Sequence, residues 1–351
     1  MTDLTQAWPR PSQPRAIVIV GGGAIVRTAH LPVYRRLDYP VAGIYDLNAA
    51  AASETAAMFQ VERVFRSLEE ACGLGNRVVY DLAVPGDQIA GILMQLPEGS
   101  GVLMQKPMGR DLAEARRIRD IVHDRRLVAA VNLQLRFSPG MLALHQLIDR
   151  GVLGELVDID VRIVIDQPWH NWTFLEGAPR LEVPYHSIHY IDAIRSFAGE
   201  PEGVYCRAVS HPELPRLRDT RSSIILDYGE HIRCSLVLNH THRAGPRYRE
   251  SLLLVEGTLG AVRLTWGVNL SYPSGPPDTM EVFSDEAWRT VPLRGSWFIE
   301  AFEGPMSNLQ RVMAGEDPIL LGSVDDALKT MAVVEACYES SEHGAAPVSA
   351  Q

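Results

Sequence analysis

The chain has 351 residues, of which 46% are hydrophobic and 22% charged, and its 33 basic and 43 acidic side chains give a net charge of −10. This is the composition of an ordinary globular protein, and the length suggests about two domains. The four cysteines form no Cys-x-x-Cys pair, which rules out a disulfide scaffold, a zinc ribbon and a dithiol redox motif and is typical of a reducing, cytoplasmic setting. The acidic balance argues against nucleic acid as a partner.

The first segment, residues 1–14, holds three prolines and no apolar run of the kind that a signal peptide requires. We interpret it as a flexible arm. No stretch of about 18 apolar residues is uninterrupted by charge, so we expect no membrane span.

Residues 15–136 alternate β-branched runs with longer stretches rich in Ala and Leu, whose apolar residues recur at helical spacing. This alternation predicts βα units on a doubly wound parallel sheet, an α/β domain. The predicted strands cover residues 16–20, 41–46, 77–84, 102–105 and 127–133.

Residues 137–351 have a different sequence pattern, because several strand-like runs follow one another without intervening helices. This pattern predicts an α+β domain with a large, mostly antiparallel sheet. The predicted strands are ELVDIDVRIVID, GVYCRAV, SSIILDY, HIRCSLVLN, SLLLVEG and GAVRLTW. We expect helices near residues 185–198, 297–314 and 323–342, the last begun by a Ser323-x-x-Asp326 cap.

A glycine loop ends the first predicted strand and begins a helix, where exposed backbone N–H groups favour a pyrophosphate. Its pattern, Gly21-x-Gly23-x-x-Val26, has Val where the dinucleotide-binding fingerprint has Gly or Ala. Asp46 ends the second strand 23 residues after Gly23, near the offset at which a carboxylate binds the adenosine ribose. These features predict NAD and make NADP less suitable, because Asp46 would repel a 2′-phosphate. A glycine turn without a ligand, or a methyltransferase loop, would show the same pattern.

Lys106 follows the fourth predicted strand within MQKPMG, at the edge where open α/β sheets bind ligands. We expect it near the nicotinamide end of the same crevice, and an exposed loop lysine is the alternative. The residues expected to contact the cofactor are Gly21, Gly23, Ala24, Ile25, Asp46, Val84, Pro85, Gln105 and Lys106.

Nearly all of residues 15–345 resembles the glucose-fructose oxidoreductase, inositol dehydrogenase and rhizopine-catabolism family, two-domain NAD(P)-dependent oxidoreductases. The motifs that carry the resemblance are VGGGAIVRTAHLP, QKPMG in the place of Glu-Lys-Pro, LRFSP, RGVLGEL and HSIHYID. The resemblance implies an N-terminal Rossmann NAD-binding domain at residues 15–136. It also implies a C-terminal domain for substrate binding and oligomerisation at residues 137–351.

The motif HSIHYID resembles the family's Asp-x-Gly-x-His-x-x-Asp segment, which places His189 on the general base and Asp192 on the final acid. Tyr185 stands where the first Asp is expected, and Ser187 where the Gly is expected. The Glu of Glu-Lys-Pro is likewise Gln105.

Oxidation of a secondary alcohol by NAD requires a base for the hydroxyl proton and a donor that holds the oxygen. His189 suits the first role and Lys106 suits the second. A structural histidine bonded to Asp192 is one alternative, and a zinc ion on His186, His189 and Asp192 is another. We expect no metal, because Lys106 already supplies the electrophile.

The loop DQPWHNWTF at residues 166–174 combines aromatic and amide side chains, which suits the lining of a polyol site. Asn239, His240 and His242 could add to this lining, and a lid or a subunit contact is the alternative reading of the loop. The residues expected to face the substrate are Lys106, Trp172, Tyr185, His186, His189 and Asp192.

We therefore expect a dehydrogenase that transfers hydride between NAD and a secondary alcohol of a sugar, sugar acid or cyclitol. The alternatives are a non-catalytic NAD-binding regulator or sensor of sugar metabolism, and reduction of a non-sugar carbonyl or imine at the same site. A homodimer or homotetramer is expected, because the open face of strands such as SSIILDY and CSLVLN must be covered and this family usually covers it with a subunit.

Overall fold

The computed structural model describes residues 3–172 and 175–344, which form two compact units. The first, the parallel-sheet unit, comprises Thr5–Leu142 and Trp297–Met331. The second, the mixed-sheet unit, comprises the remaining described residues. The sequence predicted a single domain boundary at residue 136. It did not predict that residues 297–331 belong to the first unit. They return because a late helix supplies Met306 and Leu309 to the core beneath the parallel sheet.

The parallel-sheet unit contains a five-stranded sheet in the order β2-β1-β3-β4-β5, and every neighbouring pair is parallel. The strands lie within the predicted segments or within one residue of them because these runs are apolar on both faces, as a sheet covered on both sides requires. They are β1 (Ile17–Val20), β2 (Val41–Tyr45), β3 (Val79–Leu82), β4 (Gly101–Met104) and β5 (Val128–Val131). The predicted doubly wound sheet is confirmed.

Helices connect these strands, and three of them begin at side chains that cap them. The amide oxygen of Asn48 accepts from the backbone N–H groups of Ala50 and Ala51, and the Asp111 carboxylate accepts from that of Glu114. The helices are α1 (Leu31–Arg36), α2 (Ala49–Phe59), α3 (Leu68–Cys72), α4 (Gly86–Leu93) and α5 (Leu112–Asp124).

Residues 3–14, expected as part of a flexible arm, make specific contacts. The Trp8 indole N–H donates to Asp317 at 2.9 Å, and the Trp8 ring meets Phe137 edge to face at 5.3 Å. The Ser12 backbone N–H donates to Glu316 at 3.0 Å. These partners lie far along the chain, so no local pattern could indicate them.

The mixed-sheet unit contains an eight-stranded sheet in the order β13-β12-β11-β10-β6-β9-β8-β7. Every neighbouring pair is antiparallel except β6 and β9, which are parallel. The strands are β6 (Leu156–Val164), β7 (Gly203–Val209), β8 (Arg221–Asp227), β9 (Arg233–Asn239), β10 (Glu250–Gly257), β11 (Ala261–Thr265), β12 (Thr279–Ser284) and β13 (Ala287–Val291). The predicted, mostly antiparallel sheet is confirmed, with two strands more than the sequence indicated. The sequence missed β13 because four of its five residues are exposed, so it carries no apolar alternation.

The described residues contain four more α-helices, namely α6 (Pro139–Asp149), α7 (Ile188–Ala198), α8 (Glu303–Met313) and α9 (Val324–His343). A π-helical turn, Val183–Ser187, leads directly into α7. The predicted cap of α9 is present, since the Asp326 backbone N–H donates to the Ser323 hydroxyl at 3.3 Å. Within the described residues, no helix is both long enough and apolar enough to span a bilayer.

Candidate active site

The glycine turn lies at the carboxyl end of β1, beside the end of β3. The strand order reverses there, which is where open α/β sheets bind ligands. Gly21 adopts a φ of +104°, and a Cβ on it would lie 2.4 Å from the carbonyl oxygen of Ala83. Only glycine permits this approach. A Cβ on Gly23 would meet nothing within 4 Å, so the turn is packed at Gly21 and open at Gly23, as a cradle for a pyrophosphate must be.

Asp46 is fixed beside this turn. One of its carboxylate oxygens accepts from the Gly22 backbone N–H at 2.7 Å, and the other accepts from that of Asn48 at 2.7 Å. The carboxylate is half-buried, and each oxygen keeps a lone pair for a further donor. The turn and the acid therefore fit the pyrophosphate and adenosine ribose of a dinucleotide, and a 2′-phosphate beside Asp46 would be repelled.

The other expected cofactor residues lie at the same edge of the sheet. Ala24 and Ile25 form the first helical turn after the glycines, and Val84 and Pro85 follow β3. Val84 packs near the glycine turn, since its Cγ1 would lie 3.3 Å from a Cβ on Gly21. Gln105 directly follows β4.

Lys106 comes next in the chain, in a turn that Pro107 continues. The side chain is half-buried, and the surrounding protein lowers the pKa of its ammonium group to about 8, because burial disfavours the charged form. At neutral pH the group is therefore a cationic donor that can release its proton under mildly alkaline conditions.

The residues of HSIHYID lie in the mixed-sheet unit. His189 is in the first turn of α7 and is only 6% exposed. Asp192 is fully buried, and its carboxylate lies 3.8 Å from the guanidinium of Arg195, which also pairs with Glu200 at 2.7 Å. The structure thus places the final acid of the motif beside an arginine.

Tyr185, which stands in the place of the expected Asp, is half-buried in the π-helical turn. Its ring packs against a small apolar cluster of Leu175, Leu181 and Leu217. An apolar setting of this kind suits a phenol better than a carboxylate.

Glu182 is a buried carboxyl group that the sequence analysis did not identify. It is fully buried, and its oxygens accept from the hydroxyls of Ser187 at 2.5 Å and Ser222 at 2.6 Å. Burial raises the pKa of Glu182 to about 7, although the two hydroxyl bonds lower it in part. The only sequence signal was its position between Leu181 and Val183, since Ser222 lies 40 residues away.

An aromatic cluster adjoins Glu182. His240 Nδ1 lies 3.5 Å from the Glu182 carboxylate, and burial lowers the pKa of this imidazole to about 3. The His240 ring contacts His186 in a tilted arrangement, with 4.6 Å between ring centroids. The ring centroid of His186 lies 5.0 Å from that of Trp169 and 6.2 Å from that of Trp172. The tryptophan loop and the end of β9 therefore meet, and Thr173 and Phe174 of that loop lie outside the described residues.

His186, His189 and Asp192 do not gather into a group of possible metal ligands as the structure places them. Across residues 3–172 and 175–344, no three His, Cys, Asp or Glu side chains gather into a group that could hold a metal ion.

Two family profiles match the chain. The profile of an oxidoreductase family with an NAD-binding Rossmann fold matches residues 15–133, and the profile of the GFO/IDH/MocA C-terminal domain matches residues 141–263. The chain belongs to the GFO/IDH/MocA oxidoreductase family. The resemblance inferred from the motifs is confirmed, and the protein is an NAD-binding oxidoreductase.

Individual relatives of the GFO/IDH/MocA protein are distant in sequence. D-apiose dehydrogenase from Paraburkholderia graminis is 23% identical over 339 residues, which cover 93% of this chain and 87% of the relative. An oxidoreductase from Agrobacterium radiobacter, crystallised with NAD+, L-tartaric acid and magnesium, is 18% identical, with a TM-score of 0.81 over 95% of this chain and 98% of that one. Levoglucosan dehydrogenase, crystallised with NADH and levoglucosan, is 19% identical, with a TM-score of 0.77 over 94% of this chain and 98% of that one. At these identities the two solved structures show the shared fold.

Proposed function

We propose that this GFO/IDH/MocA protein oxidises a secondary alcohol of a sugar, sugar acid or cyclitol, with NAD+ as the hydride acceptor. The observation that carries the proposal is Lys106, a partly buried ammonium group with a pKa of about 8 at the edge of the sheet that holds the glycine turn. A cation in this position suits the oxygen of a reacting alcohol. The D-apiose dehydrogenase relative supports a sugar-type substrate.

In the proposed reaction, the bound NAD+ supplies the hydride acceptor, and the chain's own residues handle the proton and the oxygen. Lys106 donates a hydrogen bond to the hydroxyl oxygen and stabilises the negative charge that grows there as the C–H bond breaks. His189 takes the hydroxyl proton as general base. Asp192 and Tyr185 lie within four residues of His189 along the chain. We propose that both line the part of the site around this base.

We assign substrate binding in the mixed-sheet unit to the aromatic cluster. Trp172 and His186 are both half-exposed, and aromatic faces of this kind pack against the C–H faces of a sugar ring. The imidazole of His186 adds a group that can bond to a hydroxyl.

The reaction is tested by following NADH absorbance while the purified protein is offered NAD+ and a panel of aldoses, cyclitols and their acids. We expect turnover with at least one polyol. Binding of NAD+ without turnover on any alcohol, and without oxidation of NADH by any ketose, ketoacid or imine, would favour a binding protein and overturn the proposal.

We also propose that two or more copies of the chain associate through the open face of the mixed sheet. Tyr205 on β7 is directly opposite Ile225 on β8, and these side chains are 63% and 49% exposed. Val237 on β9 is 40% exposed. A row of exposed apolar side chains across three neighbouring strands is suited to burial against a second copy.

Light scattering at micromolar concentration tests this association. We expect a dimer or tetramer, and Ile225→Glu should shift the protein towards the 38.8 kDa monomer. A wild-type monomer under these conditions would contradict the proposal.

A further inference from the structure

A buried polar network lies beneath the turn that carries Lys106, and the reaction proposed above makes no use of it. Its centre is His30, at the end of the π-helical turn Val26–His30. Asp81 on β3, Gln105 after β4 and Asn132 after β5 all contact the His30 imidazole. His30, Asp81 and Asn132 are each at most 2% exposed, so every hydrogen in the network must be matched to an acceptor within the protein.

The Asp81 carboxylate fixes the protons on one side of the ring. A single oxygen of Asp81 accepts from His30 Nδ1 at 2.7 Å and from the Tyr34 hydroxyl at 2.8 Å. Burial, together with the Asp81 charge, raises the pKa of Tyr34 well above its ordinary value, so the phenol keeps its proton. The hydrogen of His30 therefore lies on Nδ1.

The other side of the ring faces two amides. The side-chain nitrogens of Gln105 and Asn132 lie 2.8 Å and 3.3 Å from His30 Nε2. An amide NH₂ group can only donate, so Nε2 must be a bare acceptor. His30 is then a neutral imidazole, and an imidazolium would set its Nε2–H against two other donors.

The Gln105 amide has one orientation in this network. Its nitrogen is turned inward to His30, and among the described residues its carbonyl oxygen has no hydrogen-bond partner. Gln105 is half-exposed at the carboxyl edge of the sheet, and its backbone N–H is held by the Leu82 carbonyl oxygen at 2.9 Å. Side chain and backbone together fix the residue immediately before Lys106.

We propose that Asp81 and His30 are positioning residues, which hold the Gln105 amide with its nitrogen inward and its oxygen outward and thereby fix the turn that presents Lys106. The role of Lys106 rests on the proposed function, whereas the hydrogen-bond pattern does not. The network also gives a physical reason for glutamine in this motif. A glutamate carboxylate at position 105 would place an acceptor against the lone pair of Nε2, and only an added proton would relieve the conflict.

Gln105→Glu tests this pattern through its dependence on pH. The groups that face His30 are Asp81, Tyr34, the amides of Gln105 and Asn132, and the ring of Phe302 at 5.8 Å. We expect the variant to take up one proton, which makes His30 an imidazolium between two carboxylates. Its turnover and its affinity for NAD+ should then fall as pH rises and that proton is lost, in a transition that the wild type lacks.

The direct readout is the ¹⁵N spectrum of histidine-labelled protein, with His30 assigned from His30→Gln. We expect a neutral His30 with its hydrogen on Nδ1 in the wild type and an imidazolium in Gln105→Glu. Gln95→Glu is the matched control, because Gln95 is exposed in the turn after α4 and its side-chain amide donates to the Gly91 carbonyl oxygen, far from His30 in the sequence. It should change neither the His30 signals nor the pH profile.

Asp81→Asn provides a second variant of nearly the same shape. We expect turnover to fall about 10- to 100-fold, the cost typical of losing a group that orients another, while NAD+ affinity changes by less than about threefold and His30 loses its fixed tautomer. An imidazolium at His30 in the wild type, or a Gln105→Glu variant that keeps both a neutral His30 and the wild-type pH profile, would overturn the proposal. If Lys106→Ala keeps its turnover, the role of Lys106 fails, and the His30 spectrum and the NAD+ titration still test the network.

Discussion

The two units differ in how their candidate site residues are brought together. In the parallel-sheet unit, Gly21, Asp46 and Lys106 each follow the end of a strand, and parallel strands bring their carboxyl ends to one edge. In the mixed-sheet unit, Glu182, Ser222 and His240 come from a helical turn, from β8 and from the turn after β9, which are distant in the chain. A site at a parallel edge can be predicted from local motifs, whereas a site built across an antiparallel sheet requires the register of its strands.

The two units also differ in the chemistry of their candidate site residues. The parallel-sheet unit contains a cation with a lowered pKa, Lys106, and an anchored carboxylate, Asp46, to which we assign polarising and binding roles respectively. The mixed-sheet unit contains His189, which we propose accepts a proton, and the buried carboxyl group of Glu182, whose pKa is raised.

The largest effect is expected from removing the polarising cation or the base. His189→Ala should lower turnover by about 10² to 10⁴-fold, as loss of a general base does, and Lys106→Ala should cost at least as much. Tyr185→Phe is the control, and it should cost less than either because water can replace one neutral hydrogen bond. Steady-state rates on the best polyol check this, and near wild-type turnover in His189→Ala with intact NAD+ binding would remove His189 from the mechanism.

A pH-dependent stability effect is expected at Glu182. Because burial raises its pKa from 4.5 in the unfolded chain to about 7 in the folded protein, its stabilisation is complete below about pH 4.5. It is lost as pH rises through 7. Between pH 4.5 and 8, the free energy of unfolding of the wild type should therefore fall by up to about 3 kcal/mol relative to Glu182→Gln.

Urea unfolding at several pH values measures this difference. Glu230→Gln is the matched control, because Glu230 is exposed in the turn between β8 and β9. The same relative stability of wild type and Glu182→Gln at pH 5 and pH 8 would show that the carboxyl group is not protonated on folding.

A smaller effect is expected for cofactor choice. The wild type should bind NAD at least about tenfold more tightly than NADP, because the Asp46 carboxylate repels a 2′-phosphate. Asp46→Ala should reduce the difference in affinity between NAD and NADP. Fluorescence titration with both cofactors checks this, and equal affinities in the wild type would remove Asp46 from the ribose site.

The sequence was sufficient for the elements whose signals are local. The β-branched runs predicted all five parallel strands, and the chain positions of Gly21, Asp46 and Lys106 placed them at one edge. The sequence could not reveal the return of α8 to the first unit or the bond between Ser222 and Glu182, because each depends on contacts between distant segments. The sequence did not reveal the hydrogen-bond network around His30 for the same reason, although His30 itself lies within the motif VGGGAIVRTAHLP.

The central claim is the proposal that Lys106 and His189 act on the same hydroxyl group. The double variant Lys106→Ala/His189→Ala, compared with both single variants for NADH formation on the best substrate, tests it most directly. Groups that act as a unit are strongly non-additive, so the double variant should lose little more turnover than the more impaired single variant. A loss equal to the product of the two single losses would mean that the two residues act independently, and would contradict the account.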